Sequence, residues 1–309
     1  MNRYGSSASG RTRSARRSTL VAIAALAAAG AALAGTRLAG SDEPSTRTAG
    51  PTRNLAANRF DAGRAFRFLR WQVQLGPRPA GSRASKRLAA RLRAELPNGS
   101  YQPVPGGLRN VIGTVRGRQP GRVVVVGAHY DTKDLPGFLG ANDGASGTAV
   151  LLQLARSFRP GDVRPTLVFA FFDGEESPRG TPDAEFELRG LRGSKIASRA
   201  LRHAEAMILL DFVGDRDLAL PRERGSDEQL YASLRAAARR LGTGRYFSGT
   251  SELFVLDDHV PFQRAGVPAI DLIDFAFPCF HRPCDNLTAV SERSLDIVGE
   301  TMIELLRKL

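Results

Sequence analysis

Lysine is almost missing from this chain. Only Lys86, Lys133, Lys195 and Lys308 occur in 309 residues, so nearly all of the 44 basic side chains are arginine. Cysteine is just as scarce, and the two residues Cys279 and Cys284 exclude both a disulfide-dense scaffold and a zinc site of four thiolates. There are only four histidines, His129, His203, His259 and His281. No apolar run reaches the roughly 20 residues of a comfortable membrane span; the longest, Leu20–Gly35, falls short. Aromatic residues make up 7% of the chain and rarely alternate with the scattered arginines, so the net charge of +13 lacks the stripe that marks a nucleic-acid surface. The charge is also unevenly placed. The first 70 residues hold twelve arginines against three acidic residues, while the remainder is close to balanced.

What is present fits a globular protein of one large α/β domain or two small ones, with 42% hydrophobic and 24% charged residues. Residues 1–39 have the order of an export signal or signal-anchor. A basic stretch with Arg11, Arg13, Arg16 and Arg17 precedes the apolar run, and Ala32-Leu33-Ala34 offers a small-x-small cleavage site. The body is therefore expected to be secreted, or tethered to the outer face of a membrane if that segment stays uncleaved. Residues 40–58, rich in Ser, Thr, Pro, Gly and Arg, read as a flexible linker. The folded domain is expected over 59–309.

Asp61 can cap a helix bearing Phe66, Leu69 and Val73 at helical spacing, with Phe68, Trp71 and Leu75 widening its apolar face; Trp71 is expected in the core. Ser85–Leu96 is a second amphipathic helix. Four apolar runs follow: Val123–Val126, Leu167–Phe172, Met207–Leu210 and Val267–Ile273, the last broken by Pro268. Such runs suit strands buried on both faces. Helical patterns at Thr148–Phe158, Leu191–Arg202 and Glu228–Leu241 separate them, Glu292–Leu309 closes the chain, and the region Asn110–Arg116 can add antiparallel edge strands. The alternation predicts a three-layer α/β/α sandwich with a mixed, mostly parallel central sheet.

The ends of these runs carry the chemistry. His129 follows the first run, Glu175-Glu176 the second and Asp211 the third, while Asp143 sits in Gly140-Ala141-Asn142-Asp143-Gly144 before a helix. In an open α/β sheet the carboxyl ends of the strands form the ligand crevice, so these side chains converge on one rim. His281, in a Pro/Cys-rich loop past the fourth run, can return to the same rim. A mixed carboxylate and imidazole set suits Zn²⁺ with an open coordination position. Of two adjacent glutamates, one can bind metal while the other stays free to carry a proton. The cysteine pair reads as a local disulfide staple or, alternatively, as zinc ligands with His281 between them. His203 lies in a polar helix end and is expected at the surface.

From Arg59 to Leu309 the chain resembles the zinc-dependent glutaminyl-peptide cyclotransferases (glutaminyl cyclases) of the animal type, which share a fold with the zinc aminopeptidases. The residues that carry the resemblance are His129-Tyr130-Asp131-Thr132-Lys133, Asp143, Phe171-Phe172-Asp173-Gly174-Glu175-Glu176, Leu191-Arg192-Gly193-Ser194, Asp211, Asp257-Asp258-His259-Val260-Pro261-Phe262, Phe277-Pro278, His281 and Asp285-Asn286-Leu287. The resemblance implies one Zn²⁺ on Asp143, Glu176 and His281. It makes Glu175 the proton carrier, and makes Asp257 and Asp211 a hydrogen-bonded carboxylate pair that steadies the intermediate. Peptide or protein N-termini would be the substrates, with N-terminal Gln closing to pyroglutamate. Phe280 stands where the cyclases place a pocket-wall Trp, and Ser177–Ala184 lacks the Trp they carry after the Glu pair. Asn142–Gly147 looks more like the aminopeptidases, in which His129 and Asp211 would complete a second zinc site, Asp143 would bridge, and an N-terminal residue would be hydrolysed.

Overall fold

The computed structural model describes residues 59–309. The expected signal and linker, residues 1–58, lie outside the described residues. Among the described residues no helix is long and apolar enough to cross a membrane.

Six strands form one sheet. They are β1 (Ser100–Val104), β2 (Leu108–Val115), β3 (Gln119–His129), β4 (Pro165–Phe172), β5 (Ala206–Asp211) and β6 (Ala269–Ile273), in the order β1-β2-β4-β3-β5-β6. β1 and β2 pair antiparallel at one edge, and β2 also runs antiparallel to β4. The four apolar runs of the sequence are the parallel strands β4, β3, β5 and β6. All eight residues of β4 are buried, as expected for a strand covered on both faces. The strand from the fourth run starts at Ala269, just after Pro268, whose missing N–H cannot join a ladder.

Eight α-helices complete the fold among the described residues: α1 (Ala62–Gln74), α2 (Arg83–Glu95), α3 (Ala145–Ser157), α4 (Phe186–Arg189), α5 (Arg192–Ala200), α6 (Glu228–Arg240), α7 (His259–Arg264) and α8 (Glu292–Leu306). Side-chain caps start several of them. Asp61 accepts from Arg64 N at 2.8 Å, Asp227 from Leu230 N at 2.8 Å, and Ser291 from Ser294 N at 3.1 Å. One sheet face presents Val124, Val126, Ala128, Leu167, Phe169 and Phe171 to α1, α2, α3, α6 and α8. The other presents Val123, Val125, Val168, Ala170 and Phe172 to the smaller layer of α5 and α7. Strand alternation thus divides the core in two, and the architecture is the predicted three-layer α/β/α sandwich.

Two expectations change in detail. Trp71 is only half-buried, because its ring caps the edge of the core, stacked on Phe68 (centroids 5.7 Å apart) and under the Arg91 guanidinium at 4.0 Å. The closing helix stops at Leu306, three residues short of the chain end. His203 is exposed, as expected.

Candidate metal centre

The carboxyl ends of the parallel strands carry the site. His129 is the last residue of β3 and Asp211 the last of β5, while Glu175 and Glu176 follow β4. Asp143 lies two residues before α3, which packs directly on the sheet. That packing requires glycine. A Cβ on Gly147 would lie 2.1 Å from the Leu210 carbonyl, and Gly144, at φ +84°, leaves only 2.7 Å between its missing Cβ and the Asp131 carbonyl.

Two clusters of donor atoms meet here, and Asp143 belongs to both. Its Oδ1 lies 3.3 Å from His129 Nε2, which is itself 3.3 Å from Asp211 Oδ1. Its Oδ2 lies 3.4 Å from His281 Nε2, which is 3.1 Å from Glu176 Oε1. A tetrahedral Zn²⁺ with bonds of about 2.0–2.1 Å separates its ligand atoms by about 3.3 Å. The observed edges match that spacing. Asp143 Oδ2 is moreover buried without a hydrogen-bond partner, as a ligand atom would be before its cation is counted. The donor set and its spacing suit zinc.

Behind the donors stands a layer of orienting groups. Asp131, fully buried, accepts from the backbone N–H groups of Gly174 (3.0 Å), Glu175 (3.2 Å) and Glu176 (3.3 Å), and lies 3.7 Å from His129 Nδ1. It thereby sets the glutamate loop and faces the far side of a donor imidazole. Asp285 does the same for the Asp143 turn, accepting from Asn142 N (2.7 Å) and Asp143 N (3.0 Å). The buried Arg78 guanidinium donates to the carbonyls of Gln72, Gly76, Leu139 and Gly140, tying α1 to the same turn. Lys133 Nζ donates to Glu176 Oε2 at 2.9 Å, which leaves Oε1 for the His281 side. Such outer partners fix ligand geometry.

The adjacent glutamates have opposite electrostatics. Burial would raise both carboxyls, but contacts from His281 and Lys133 overcome it at Glu176 and hold that group at about 2. Glu175 is held well above the usual range by burial first, then by Glu176, with Asp257 and Asp258 adding to the effect. One stays a carboxylate and the other holds a proton readily. At His129 burial favours the neutral ring, but Asp211 and the neighbouring carboxylates outweigh it and raise the imidazole well above its ordinary value.

All the expected donors therefore converge: Asp143, Glu176 and His281 in one cluster, and His129 and Asp211 with Asp143 in the other. Phe280 lies beside them, its ring stacked on His281 at 3.9 Å. The expected Asp257–Asp211 hydrogen bond does not form among the described residues. Asp211 Oδ1 is occupied by His129 Nε2 and by Phe212 N at 2.9 Å, Asp257 Oδ1 accepts from Asp258 N, and Asp257 Oδ2 has no partner. The two still interact through charge, since Asp257 is pushed well up by burial, then by Asp211 and Asp258. The Cys279–Cys284 pair is a disulfide, so neither sulfur is available as a thiolate ligand. The sequence patterns assign no role to Asp131, Asp285, Arg78 or Lys133. Asp131 and Lys133 lie two and four residues past His129, beyond the end of β3.

A six-stranded mixed sheet between helical layers, with acidic and imidazole donors gathered at its carboxyl edge, defines the class of exopeptidase-like folds. The model of peptidase family M28 matches residues 110–306, and the chain belongs to that family. It is 30% identical over 228 residues to a glutaminyl-peptide cyclotransferase of Drosophila melanogaster, covering 63% of this chain and 64% of that one. The chain thus spans somewhat under two thirds of the length of that curated relative. Among solved structures, an Acidobacteriales bacterium glutaminyl cyclase matches at 28% identity and a TM-score of 0.70, covering 84% of this chain and 98% of that chain. A structure described as a leucine aminopeptidase precursor from Bacteroides thetaiotaomicron matches at 27% identity and a TM-score of 0.72, covering 83% and 100%.

Proposed function

We propose that the protein is a zinc-dependent glutaminyl-peptide cyclotransferase that converts N-terminal Gln of peptides or proteins to pyroglutamate and ammonia. The observation that carries this reading is the placement of Glu175. It stands next to the ligand Glu176, in the field of the further buried carboxylates Asp257 and Asp258, and has no side-chain hydrogen bond among the described residues. The similarity to cyclases from an insect and a bacterium supports it.

Asp143, Glu176 and His281 would hold one Zn²⁺, which supplies polarisation of the substrate's γ-carboxamide carbonyl. In the reaction the α-amine nitrogen bonds to the γ-carbonyl carbon, the bond from that carbon to the amide nitrogen breaks, and ammonia leaves. Glu175 takes the proton from the amine and passes it to the departing nitrogen, so protons balance without solvent. Holding the amine over its own side-chain carbonyl removes most of the entropic barrier of an intermolecular attack. Asp257 and Asp211 line the acidic side of the site and steady charge near the amine. Phe280, stacked on His281, walls the pocket. The charged-then-apolar order of residues 1–39 supports export, with peptide or protein N-termini met outside the cytoplasm.

A second reading has its own observation. Asp143 directs one oxygen to each of two complete donor clusters, the arrangement a bridging ligand needs, which favours a two-zinc aminopeptidase. Incubating the zinc-loaded protein with a Gln-initiated peptide separates the two. Loss of one ammonia from the peptide mass supports cyclisation. Release of free Gln, with two zinc ions retained per chain, refutes it.

A further inference from the structure

The loop that delivers His281 is closed on itself. Cys279 and Cys284 are joined with Cα atoms 5.4 Å apart, and the ring they form encloses Phe280, His281, Arg282 and Pro283. Inside it Arg282 N donates to the Cys279 carbonyl at 3.0 Å, and just past it Asp285 N donates to the Arg282 carbonyl at 2.9 Å. His281 adopts φ +51°, in the left-handed region that non-glycine residues seldom occupy. Its ring is gripped by Phe280 on one face, and Phe138 meets it edge-on with centroids 5.9 Å apart. The residue after the ring is Asp285, whose two oxygens hold the backbone of Asn142 and Asp143, and whose carbonyl accepts from Ala141 N at 3.4 Å. One short covalent ring therefore sets two sides of the metal centre, the donor His281 and the group that aims Asp143.

The geometry points to the Cys279–Cys284 disulfide as a positioning element of the metal centre, which keeps His281 in its binding conformation before zinc arrives. This rests on His281 being a zinc donor. Without the cross-link, the left-handed conformation and the approach of Asp285 must be ordered by zinc binding itself, and affinity falls by the cost of that ordering. The chain entropy removed by a ring this short corresponds to a factor of about 30 at most. The neighbouring anchors at Phe277 and Asp285 already restrain part of the loop, so about tenfold is expected, at the low end of what orienting groups contribute to metal affinity.

The test compares zinc affinity by chelator competition in the full-length wild type, in the double variant Cys279→Ala/Cys284→Ala, and in wild-type protein that has been reduced and capped. For the last form a phosphine opens the disulfide, giving two thiols while the phosphine gains an oxygen atom from water. Iodoacetamide then caps both sulfurs so that neither can bind zinc. Cys284 is exposed, so the reductant can reach the bond. Zinc Kd is expected to rise about tenfold in both forms, with kcat at saturating zinc within about twofold of wild type and the melting temperature of the metal-free protein lowered equally in both by the lost constraint on the unfolded chain. That combination separates a local positioning role from general stabilisation. A zinc Kd within about twofold of wild type in either form overturns the proposal. His281→Ala is run alongside. If it too binds zinc like wild type, the assignment of His281 has failed; if it alone binds weakly, only the role of the disulfide has.

Discussion

Replacing Asp131 by Ala tests whether the site depends on its buried scaffold. The Asp131 carboxylate is fully buried and accepts from three consecutive backbone N–H groups at 3.0–3.3 Å, those of Gly174, Glu175 and Glu176. Each buried N–H left without an acceptor costs about 1–3 kcal/mol. Two of the three can be partly rescued by water entering the vacated volume, so a net destabilisation of about 3 kcal/mol is expected. The effect on turnover has a separate origin. Glu175 and Glu176 lose the hook that fixes their backbone, and His129 loses the carboxylate near its Nδ1. A fall in kcat/KM of about 100-fold, equivalent to about 2.7 kcal/mol, is expected from that misplacement. Urea unfolding of the metal-free protein measures the first quantity, and a Gln-peptide turnover assay at saturating zinc measures the second. Asp131→Asn keeps one acceptor oxygen and should recover part of both. If Asp131→Ala unfolds within about 1 kcal/mol of wild type and turns over normally, the three hydrogen bonds do not organise the glutamate loop, and the reasoning fails.

Glu175→Gln keeps the volume but cannot carry a proton, so turnover should drop by about 10³-fold or more while zinc content stays at the wild-type level; residual activity above a tenth of wild type would remove its assigned role. Arg78→Leu strips four backbone carbonyls of a shared buried donor and should destabilise by about 3–5 kcal/mol, read from denaturant midpoints. Asp274, which belongs to neither donor cluster, supplies a pH test. Burial lifts its carboxyl to about 6 in the folded protein from 3.8, so the folded state holds the proton more tightly than the unfolded chain. Its contribution is greatest below pH 3.8 and is lost as pH rises through 6. Asp274→Asn should therefore gain about 2 kcal/mol relative to wild type at pH 7 compared with pH 4, and parallel stability profiles across that range would contradict it.

The parallel strands were readable because burial on both faces demands unbroken apolar runs, and a run such as Leu167–Phe172 has few other uses. The donors were readable for a related reason: His129, Glu176 and Asp211 each end or follow such a run, so the topology of an open sheet placed them at one edge before any distance was known. What the sequence could not show is set by contacts between segments distant in the chain. Asp131 and Asp285 look like ordinary loop acids until the fold brings their oxygens to N–H groups 43 and 143 residues away. The expected Asp257–Asp211 hydrogen bond is absent among the described residues, where Asp211 Oδ1 meets His129 and the Phe212 amide instead. Trp71 reads as a core residue from the apolar face it shares with Phe68 and Leu75, and only the tertiary structure shows its ring lying beneath Arg91 of α2.

The amino-acid order by itself thus determined the layers, the strand ends and the chemical types gathered at them, because periodicity and strand-end position act locally or through simple topology. Only the tertiary structure decided that Asp143 faces both donor clusters, that Lys133 takes one oxygen of Glu176, and that a six-residue covalent ring holds His281. Those choices depend on which of several possible partners reaches an atom first, and that competition is resolved only when distant segments are packed together.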